Sequence, residues 1–261
     1  MLGAIIGDIV GSRFEWNNIK SKDFDLFTRR CFPTDDSIMS LAVAKALLTC
    51  REDYSDLSAL AIYHMQDIGR HYPDCGYGGH FYQWIFDDDP QPYNSFGNGA
   101  AMRVSACGFV ADSLEQAKEL SAAVTKISHN HPEGMKGAEA TAVAIYMART
   151  GSSMQEIRDY ITANYYDIDF TLDEIRPTYS FDVTCQGSEP QALEAFFEST
   201  SFEDAIRNAI SIGGDSDTIA AITGGVAEAF YGIPEDIRAE AVEFLDPRLK
   251  EVLEEFEGRF M

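Results

Sequence analysis

Two apolar stretches decide the fold: SIMSLAVAKALLT (Ser37–Thr49) and TIAAITGGVAEAFY (Thr218–Tyr231). The first carries only Lys45 as a charged residue, and the second carries only Glu228. A helix that is apolar on nearly every face must be surrounded by other elements, because none of its faces suits water. We therefore predict that both stretches are helices and that they lie at the centre of the molecule.

Helix-start signals recur along the rest of the chain. They are the capping-box patterns Ser113-x-x-Gln116 and Ser153-x-x-Glu156, the weaker Ser201-x-x-Asp204, and Pro234 and Pro247 at the first turns of two late helices, Glu235–Leu245 and Arg248–Phe260. The only weak candidate for a strand is Phe170–Thr184, and no Pro/Gly/Ser-rich linker is present. These patterns predict an all-α fold, a compact helical bundle, with a single domain over residues 1–261.

Composition excludes several functional classes. The net charge of −23, from 43 acidic and 20 basic residues, repels nucleic-acid backbones and anionic membranes, so neither is an expected partner. The five cysteines are an odd number without C-x-x-C spacing, which favours reduced thiols in a cytoplasmic protein. The N-terminal stretch lacks a basic region, and no apolar run approaches the roughly 18 residues of a membrane span.

Gly3, Gly7 and Gly11 recur every four residues and would share one face of an N-terminal helix. Glycine is a poor helix former, so its repetition requires a reason. Close approach of another helix is the favoured explanation, and a loop that lets substrate reach the backbone is the alternative.

Two acidic clusters precede the two apolar helices. They are Thr34-Asp35-Asp36-Ser37 and Gly213-Gly214-Asp215-Ser216-Asp217-Thr218. One Asp could be a helix cap, but a cap does not explain two carboxylates at one buried helix start. Neither cluster contains Lys or Arg, and a buried unpaired carboxylate is very costly. The clusters therefore predict a divalent-cation site, provided that the two helix starts meet in space.

The ligand chemistry limits which cation is expected. Carboxylate and hydroxyl oxygens favour hard cations such as Mg²⁺ or Mn²⁺ over zinc. Four carboxylates and two hydroxyls could hold two such ions, with waters completing the coordination shells. The alternative is a pair of independent capped helices with no metal.

Five motifs in order resemble the ADP-ribosylglycohydrolase family. They are Gly3-x-x-x-Gly7-Asp8-x-x-Gly11, Thr34-Asp35-Asp36-Ser37, Gly97-Asn98-Gly99-Ala100-Ala101-Met102-Arg103, His131-Pro132-Glu133-Gly134 and Gly214-Asp215-Ser216-Asp217-Thr218. The resemblance implies an all-α orthogonal bundle with a binuclear Mg²⁺ or Mn²⁺ centre at the base of a cleft. It makes six residues the expected metal ligands, namely Thr34, Asp35, Asp36, Asp215, Asp217 and Thr218.

The reaction implied by the resemblance is hydrolysis of an ADP-ribosyl glycosidic bond. A metal-activated water would attack the anomeric carbon, and a nearby carboxylate would stabilise an oxocarbenium-like state. Glu15 is the candidate water activator or gate, and Asp36 is a second candidate catalytic group besides its role as a ligand. Asp74 is a weaker candidate. The alternative for Glu15 is a solvated helix-end residue that pairs with Arg13.

The resemblance also implies residues that bind the ADP-ribose moiety, and Tyr93 or Phe96 could stack on adenine. Short glycine-containing loops can present backbone amides to phosphate. The expected substrate-binding residues are Gly76, Tyr77, Gly78, Gly97, Asn98, Gly99, Met102, His131 and Ser188.

Two other functions compete with hydrolysis of an ADP-ribosyl bond. Asp215-Ser216-Asp217-Thr218 superficially resembles the loop of haloacid-dehalogenase phosphatases, but that loop ends a strand near the N-terminus of an α/β domain. A member of the same family that binds ADP-ribose or a partner without cleaving is the stronger alternative. The acceptor could be arginine, serine, a nucleobase or another group, and the sequence leaves the choice between Mg²⁺ and Mn²⁺ and the oligomeric state open.

Overall fold

The computed structural model describes residues 1–261 and contains fifteen helices and no β-strand, with one isolated bridge between Gly97 and Thr184. The helices are α1 (Leu2–Gly11), α2 (Asp35–Thr49), α3 (Leu57–Gly69), α4 (Gly79–Phe86), α5 (Gly99–Met102), α6 (Ser105–Val110), α7 (Leu114–Thr125), α8 (Pro132–Arg149), α9 (Met154–Asn164), α10 (Leu172–Ile175), α11 (Cys185–Phe197), α12 (Phe202–Ser211), α13 (Ser216–Tyr231), α14 (Glu235–Val242) and α15 (Pro247–Phe260). The prediction of an all-α fold is confirmed.

The two apolar stretches form the centre of the molecule. Every residue of α13 from Ser216 to Glu228 is buried, as is every residue of α2 from Asp36 to Ala44. Around these helices, 72 buried residues drawn from both ends of the chain form one hydrophobic cluster. This arrangement holds the starts of both helices inside the molecule, where Asp36, Asp215 and Asp217 are buried.

Helix α1 packs directly on α13 through its glycine face. A Cβ atom on Gly3 would lie 2.2 Å from the carbonyl oxygen of Gly224, and one on Gly7 would lie 1.9 Å from that of Ala220. The distal end of the contact is fixed by Glu228, which pairs with the Met1 amine and accepts a bond from the Gly3 N–H at 2.7 Å. The expected close approach of a second helix is confirmed.

Side-chain caps explain several helix starts. Ser153 and Glu156 form a complete capping box. Ser113 and Ser201 each cap their helix through the hydroxyl alone, because Gln116 and Asp204 bond to Asp112 and Thr200 instead. The two late helices form as predicted, apart from an earlier end of α14 at Val242 and the inclusion of Pro247 in α15.

The interpretation of Phe170–Thr184 as a strand is wrong. A capping box between Thr171 and Glu174 starts the short helix α10, and the segment after it is irregular. Asp182 accepts bonds from the N–H and hydroxyl of Thr184, so local side-chain bonds replace a strand ladder. Only Thr184 makes a bridge, with Gly97.

The remaining sequence expectations concern cysteines and membranes. All five cysteines have free thiols. Among the helices, none combines the length and apolar character that crossing a bilayer requires.

Candidate metal centre and cleft

The starts of α2 and α13 meet inside the molecule. Asp35 and Asp215 are 180 positions apart (215 − 35) in the sequence. Even so, the Thr218 hydroxyl of α13 donates a hydrogen bond to Asp36 Oδ2 of α2 at 3.2 Å. The fold therefore brings together the two acidic clusters on which the predicted metal site depends.

Helix α1 contributes a further carboxylate, Asp8, to the same place. Asp8 is fully buried and accepts bonds from the Thr34 N–H at 2.9 Å, the Thr34 hydroxyl at 2.6 Å and the Ser37 N–H at 3.0 Å, and also from the Ser37 hydroxyl. One carboxylate oxygen from each of Asp8, Asp36 and Asp217 lies within 4.8 Å of the others. Sequence reasoning assigned no role to Asp8, although a lone carboxylate inside an otherwise apolar helix was a usable signal.

A second carboxylate group shares Asp217 with the first. It consists of Glu15, Asp215 and Asp217, whose nearest oxygens also lie within 4.8 Å of one another. Glu15 follows α1 and is partly exposed, whereas Asp215 and Asp217 are buried at the start of α13. Glu15 makes no ion pair with Arg13, whose guanidinium donates to Thr28 Oγ1 and Asp25 O. The solvated pair that the sequence left open as an alternative is therefore absent.

These carboxylates have no cationic side chain to neutralise them. None of the six acidic groups at the two clusters, α1 and Glu15 forms a salt bridge within the chain; they are Asp8, Glu15, Asp35, Asp36, Asp215 and Asp217. Two buried oxygens, Asp36 Oδ1 and Asp217 Oδ1, have no hydrogen-bond partner. Because a buried unpaired carboxylate oxygen is costly, these two atoms are placed as metal ligands would be.

The pKa values of the cluster follow from burial and mutual repulsion. Burial, with repulsion from Asp8 and Asp215, raises the pKa of Asp35 to about 8. Burial and repulsion from Asp215 and Asp8 raise the pKa of Glu15 to about 7. Burial also raises the pKa of Asp217 well above its ordinary value. The carboxylates therefore cannot all be charged unless a cation compensates them, and their oxygen-only chemistry fits Mg²⁺ or Mn²⁺.

Five of the six expected metal ligands line the cleft, and Thr34 does not. Thr218 faces the cleft above the carboxylates, as do Asp35, Asp36, Asp215 and Asp217. Thr34 does not line the cleft, because its hydroxyl donates to Asp8. The Thr34 hydroxyl oxygen lies 3.4 Å from Asp36 Oδ2, so Thr34 borders the carboxylate cluster on the side away from the cleft.

A cleft of about 490 Å³ lies above the cluster. This volume is in the range of pockets that hold small organic ligands. Seven of the nine expected substrate-binding residues line it, namely Gly76, Tyr77, Gly78, Gly97, Asn98, Gly99 and Met102. Tyr93 also lines it, whereas Phe96 does not.

Glycine at position 76 is required by both conformation and space. Its φ of +122° lies in the region that L side chains rarely adopt, and a Cβ would lie 2.8 Å from Asp35 Oδ1. The Asp35 N–H donates to the adjacent Cys75 carbonyl at 3.0 Å. The loop before α4 thus packs against the carboxylate cluster at Asp35.

Asn98 connects the second glycine loop to the cluster. Its side-chain amide donates to Asp215 Oδ2 at 2.7 Å and to Ser188 Oγ at 3.2 Å. Ser188 was expected to touch substrate, but it is fully buried and does not line the cleft. Its hydroxyl accepts from Asn98 and donates to the Asp182 carbonyl at 2.9 Å, so the structure places it behind the cleft wall.

His131 was also expected to bind substrate, but it does not line the cleft. Its ring caps α8 by accepting a bond from the Glu133 N–H at 3.1 Å, and it packs beside Phe96 at 5.1 Å between ring centroids. His129 lines the cleft instead. Burial, with repulsion from Arg103, lowers the pKa of His129 well below its ordinary value, so this ring is neutral. No spacing in the sequence distinguishes His129 from the other histidines.

The protein belongs to the class of all-α proteins, and its acidic centre lies where two buried helices, α2 and α13, begin. The family model described as ADP-ribosylglycohydrolase matches residues 1–261. The chain therefore belongs to the ADP-ribosylglycohydrolase family.

Individual relatives agree with this assignment. "ADP-ribosylhydrolase ARH3" of Homo sapiens is 23% identical over 313 residues, covering 89% of this chain and 84% of the relative. The protein of the same name from Gallus gallus is 24% identical over 316 residues, with the same coverage. A solved structure named "ADP-ribosylglycohydrolase-related protein complex" superposes with a TM-score of 0.72 at 20% identity, covering 100% of this chain and 96% of that one. At this identity the last similarity supports the fold alone.

Proposed function

We propose that this protein is a divalent-metal-dependent hydrolase that cleaves the glycosidic bond between ADP-ribose and an acceptor. The observation that carries the proposal is the set of six carboxylates without an ion-pair partner, two of them with orphaned oxygens. All of them except Asp8 line a cleft of about 490 Å³. Membership of the ADP-ribosylglycohydrolase family supplies the class of substrate.

The proposed metal centre uses Asp35, Asp36, Asp215, Asp217 and Thr218, with Thr34 at its edge. Asp8 holds Thr34 and Ser37 in place and brings a third buried carboxylate against Asp36 and Asp217. Two hard cations are proposed because five of the carboxylates fall into two groups that share Asp217, with Asp35 in neither group. Bound there, Mg²⁺ or Mn²⁺ would polarise the ribose oxygens and lower the pKa of a nearby water.

Glu15 is proposed as the group that takes the proton from the attacking water. It is partly exposed and lines the cleft, and its pKa of about 7 is near that of an effective general base at neutral pH. Asp36 is proposed to stabilise positive charge at the anomeric carbon as the glycosidic bond breaks.

The glycine loops are proposed to hold the rest of the ADP-ribose moiety. The N–H of Gly99, the first residue of α5, has no acceptor within the chain, so it is available to a phosphate oxygen. Asn98 fixes the loop that carries it, through Asp215. Gly76, Tyr77 and Gly78 form the facing wall beside Asp35.

The experiment that tests the proposal measures release of ADP-ribose from modified substrates with Mg²⁺, with Mn²⁺ and after chelation. The wild-type protein should turn over at least one substrate only with metal, and Asp35→Ala should abolish that turnover while its circular dichroism stays helical. Asp88→Asn, in an exposed loop away from the cleft, is the matched control. Binding of ADP-ribose without turnover of any linkage would favour a non-catalytic family member instead.

A further inference from the structure

The turn formed by Gly213 and Gly214 leads into α13 and its carboxylates. Both glycines lie in the left-handed region of the backbone, with φ of +70° and +78°. Asp215 follows as the N-cap residue of α13, and its side chain makes no capping hydrogen bond to the helix. Because two consecutive glycines leave the backbone many alternative conformations, the turn needs contacts with other segments to hold one of them. Those contacts come from the segment that follows Glu15.

Asn18 pairs with Gly214 through both ends of its side-chain amide. Asn18 Nδ2 donates to the Gly214 carbonyl at 2.8 Å, and the Gly214 N–H donates back to Asn18 Oδ1 at 2.8 Å. Such a reciprocal pair fixes distance and orientation together, as a pair of backbone bonds between two strands does. The two residues are 196 positions apart in the sequence, so this contact is not part of a local turn.

The same amide also bonds to the segment that carries Glu15. Asn18 Nδ2 lies 2.7 Å from the Phe14 carbonyl oxygen and 3.1 Å from the Glu15 carbonyl oxygen, and its two hydrogens are shared among these acceptors and the turn. One side chain therefore joins the backbone at Glu15 to the turn before Asp215. The carboxylates of these two residues belong, with Asp217, to the group whose oxygens lie within 4.8 Å of one another.

Lys20 fixes the other side of the turn. Its amine donates to the Tyr179 carbonyl at 2.6 Å and to the carbonyl of Ile212, which is the C-cap residue of α12. A cation at a helix C-terminus is also favoured by the helix dipole. A Cβ atom on Gly213 would lie 2.9 Å from Lys20 Nζ and 3.1 Å from Asn18 Oδ1, so the two side chains enclose the turn.

The two carboxylates that Asn18 relates differ in their other supports. Asp215 is buried at the start of a core helix and also accepts a bond from the Asn98 amide at 2.7 Å. Glu15 is partly exposed and lies in an irregular segment after α1. Loss of the Asn18 side chain should therefore displace Glu15 and leave Asp215 in place.

Resting on the proposed function, we propose that Asn18 is a positioning residue, which holds Glu15 at the distance from the metal centre that proton transfer requires. Asn18 does not line the cleft, so it acts through Glu15 and not by touching substrate. General-base catalysis depends on hydrogen-bond reach between the base and the water, so a small displacement of Glu15 should lower the rate. The glycine loops of the cleft do not depend on Asn18, so binding of ADP-ribose and of metal should change little.

The test measures release of ADP-ribose from arginine-, serine- and nucleobase-linked substrates by Asn18→Ala, Asn18→Asp and Asn17→Ala. We expect Asn18→Ala to lower kcat about 10- to 100-fold with little change in KM, as for misplacement of a catalytic group by about 1 Å. Asn18→Asp keeps the shape and the acceptor but cannot donate to the carbonyls, so it should lose as much activity. Asn17→Ala is the matched control, because Asn17 is the adjacent exposed amide and bonds to neither Glu15 nor Gly214.

A double-mutant cycle with Glu15→Gln distinguishes positioning of Glu15 from a general structural role. If Asn18 acts through Glu15, Asn18→Ala should cause no further loss of turnover in the Glu15→Gln background, because the base is already absent. An equal loss in both backgrounds would overturn the proposal, as would full kcat in Asn18→Ala. Calorimetry with ADP-ribose and metal completes the comparison, and weaker binding with unchanged kcat would assign Asn18 to binding instead.

Fluorescence of Trp16 gives a readout that needs neither metal nor turnover. Trp16 lies between Glu15 and Asn18 in the sequence, is 80% exposed and stacks on Phe181 at 4.9 Å between ring centroids. In the metal-free protein, Asn18→Ala should lower the time-resolved anisotropy of Trp16, because the segment gains freedom, while Trp84 is buried and gives a constant background. Unchanged anisotropy in Asn18→Ala would overturn the proposal by itself. Failure of the wild type on every linkage with both metals would overturn the proposed function and the role of Asn18 in it, whereas the anisotropy would still show whether Asn18 holds the segment.

Discussion

Glu15 lines the cleft and is partly exposed, whereas Asp36, Asp215 and Asp217 beside it are buried. Replacing it by Gln keeps the shape and removes the base, so kcat should fall about 10²- to 10⁴-fold. Affinity for ADP-ribose, measured by calorimetry with metal present, should change little. Glu254→Gln, on the exposed side of α15, serves as the control. Equal losses of turnover and of ADP-ribose affinity would assign Glu15 to binding instead of catalysis.

Glu189 should make the free energy of unfolding depend on pH, independently of the metal centre. It is fully buried, accepts a bond from the Thr141 hydroxyl at 2.6 Å, and leaves Oε2 without a partner. Burial raises the pKa of Glu189 to about 8. This pKa is above that of Glu in the unfolded chain, so the protonated side chain contributes to the free energy of unfolding at acidic pH. That contribution is lost as the pH rises through about 8.

Glu189→Gln should therefore be more stable than the wild type at pH 9, by about 1–3 kcal/mol for a buried group that no longer has to ionise. The difference should shrink toward pH 5, where the wild-type carboxyl is protonated. Thermal unfolding of chelated protein at pH 5, 7 and 9 measures this, with Glu251→Gln on the surface of α15 as the control. A constant difference at all three pH values would contradict the pKa argument.

At the scale of the elements, the packing of α1 on α13 controls both stability and the position of Asp8. Gly7→Ala would place a methyl group 1.9 Å from the Ala220 carbonyl oxygen, which is backbone and cannot rotate away. The helices must separate, so we expect a loss of about 3 kcal/mol or more, at the upper end of overpacking effects. Because Asp8 follows Gly7, metal affinity should fall as well.

The same substitution at Gly258 provides the matched control. Gly258 lies within α15, and a Cβ atom there would meet nothing within 4 Å. Gly258→Ala should therefore stabilise the protein by about 0.5–1 kcal/mol through helix propensity. Denaturant unfolding of both variants gives the comparison. If Gly7→Ala were as harmless as Gly258→Ala, the close approach of α1 and α13 would not exist in solution.

Helix positions and the acidic clusters were predictable because each depends on residues close together in sequence. The apolar runs fix α2 and α13, and the acidic residues directly precede or begin them, so burial of the helices implies burial of the carboxylates. A single Asp in an apolar helix signals a buried polar contact, but Asp8 was missed because the sequence does not show which other helix it faces. Its partners Thr34 and Ser37 become evident only once α1 has packed.

The residues that line the cleft were harder to predict, because their orientation also depends on how distant segments of the chain pack. Ser188 and His131 were both expected to bind substrate, but whether a side chain faces the cleft depends on the turn on which it sits. The structure shows that Ser188 faces Asn98 and that His131 caps α8. Trp16 and Phe181 come from irregular segments far apart in sequence, and no periodicity relates them.

For the whole molecule, we expect the hydrophobic core to hold the chain folded without metal. Metal binding should only raise the stability of the folded state. The hydrophobic cluster of 72 residues and the α1–α13 contact hold the fold together without a metal, so chelation should leave the helical circular dichroism intact. Mg²⁺ or Mn²⁺ should raise the melting temperature, because a ligand that binds only the folded state stabilises it by about 2.7 kcal/mol at 100 times its Kd. For a chain of this size, that is a shift of roughly 5–10 °C.

Asp217→Asn provides the matched control for this effect. It removes one of the buried carboxylates that repel each other, so the metal-free variant should melt higher than the metal-free wild type. It also removes a charge shared by both carboxylate groups, so added metal should no longer raise its melting temperature. In this one variant, the melting temperature without metal should therefore rise, and the increase caused by added metal should disappear. If metal raised the melting temperature of Asp217→Asn as much as that of the wild type, the cations would be bound elsewhere on this acidic surface and the proposed centre would be wrong.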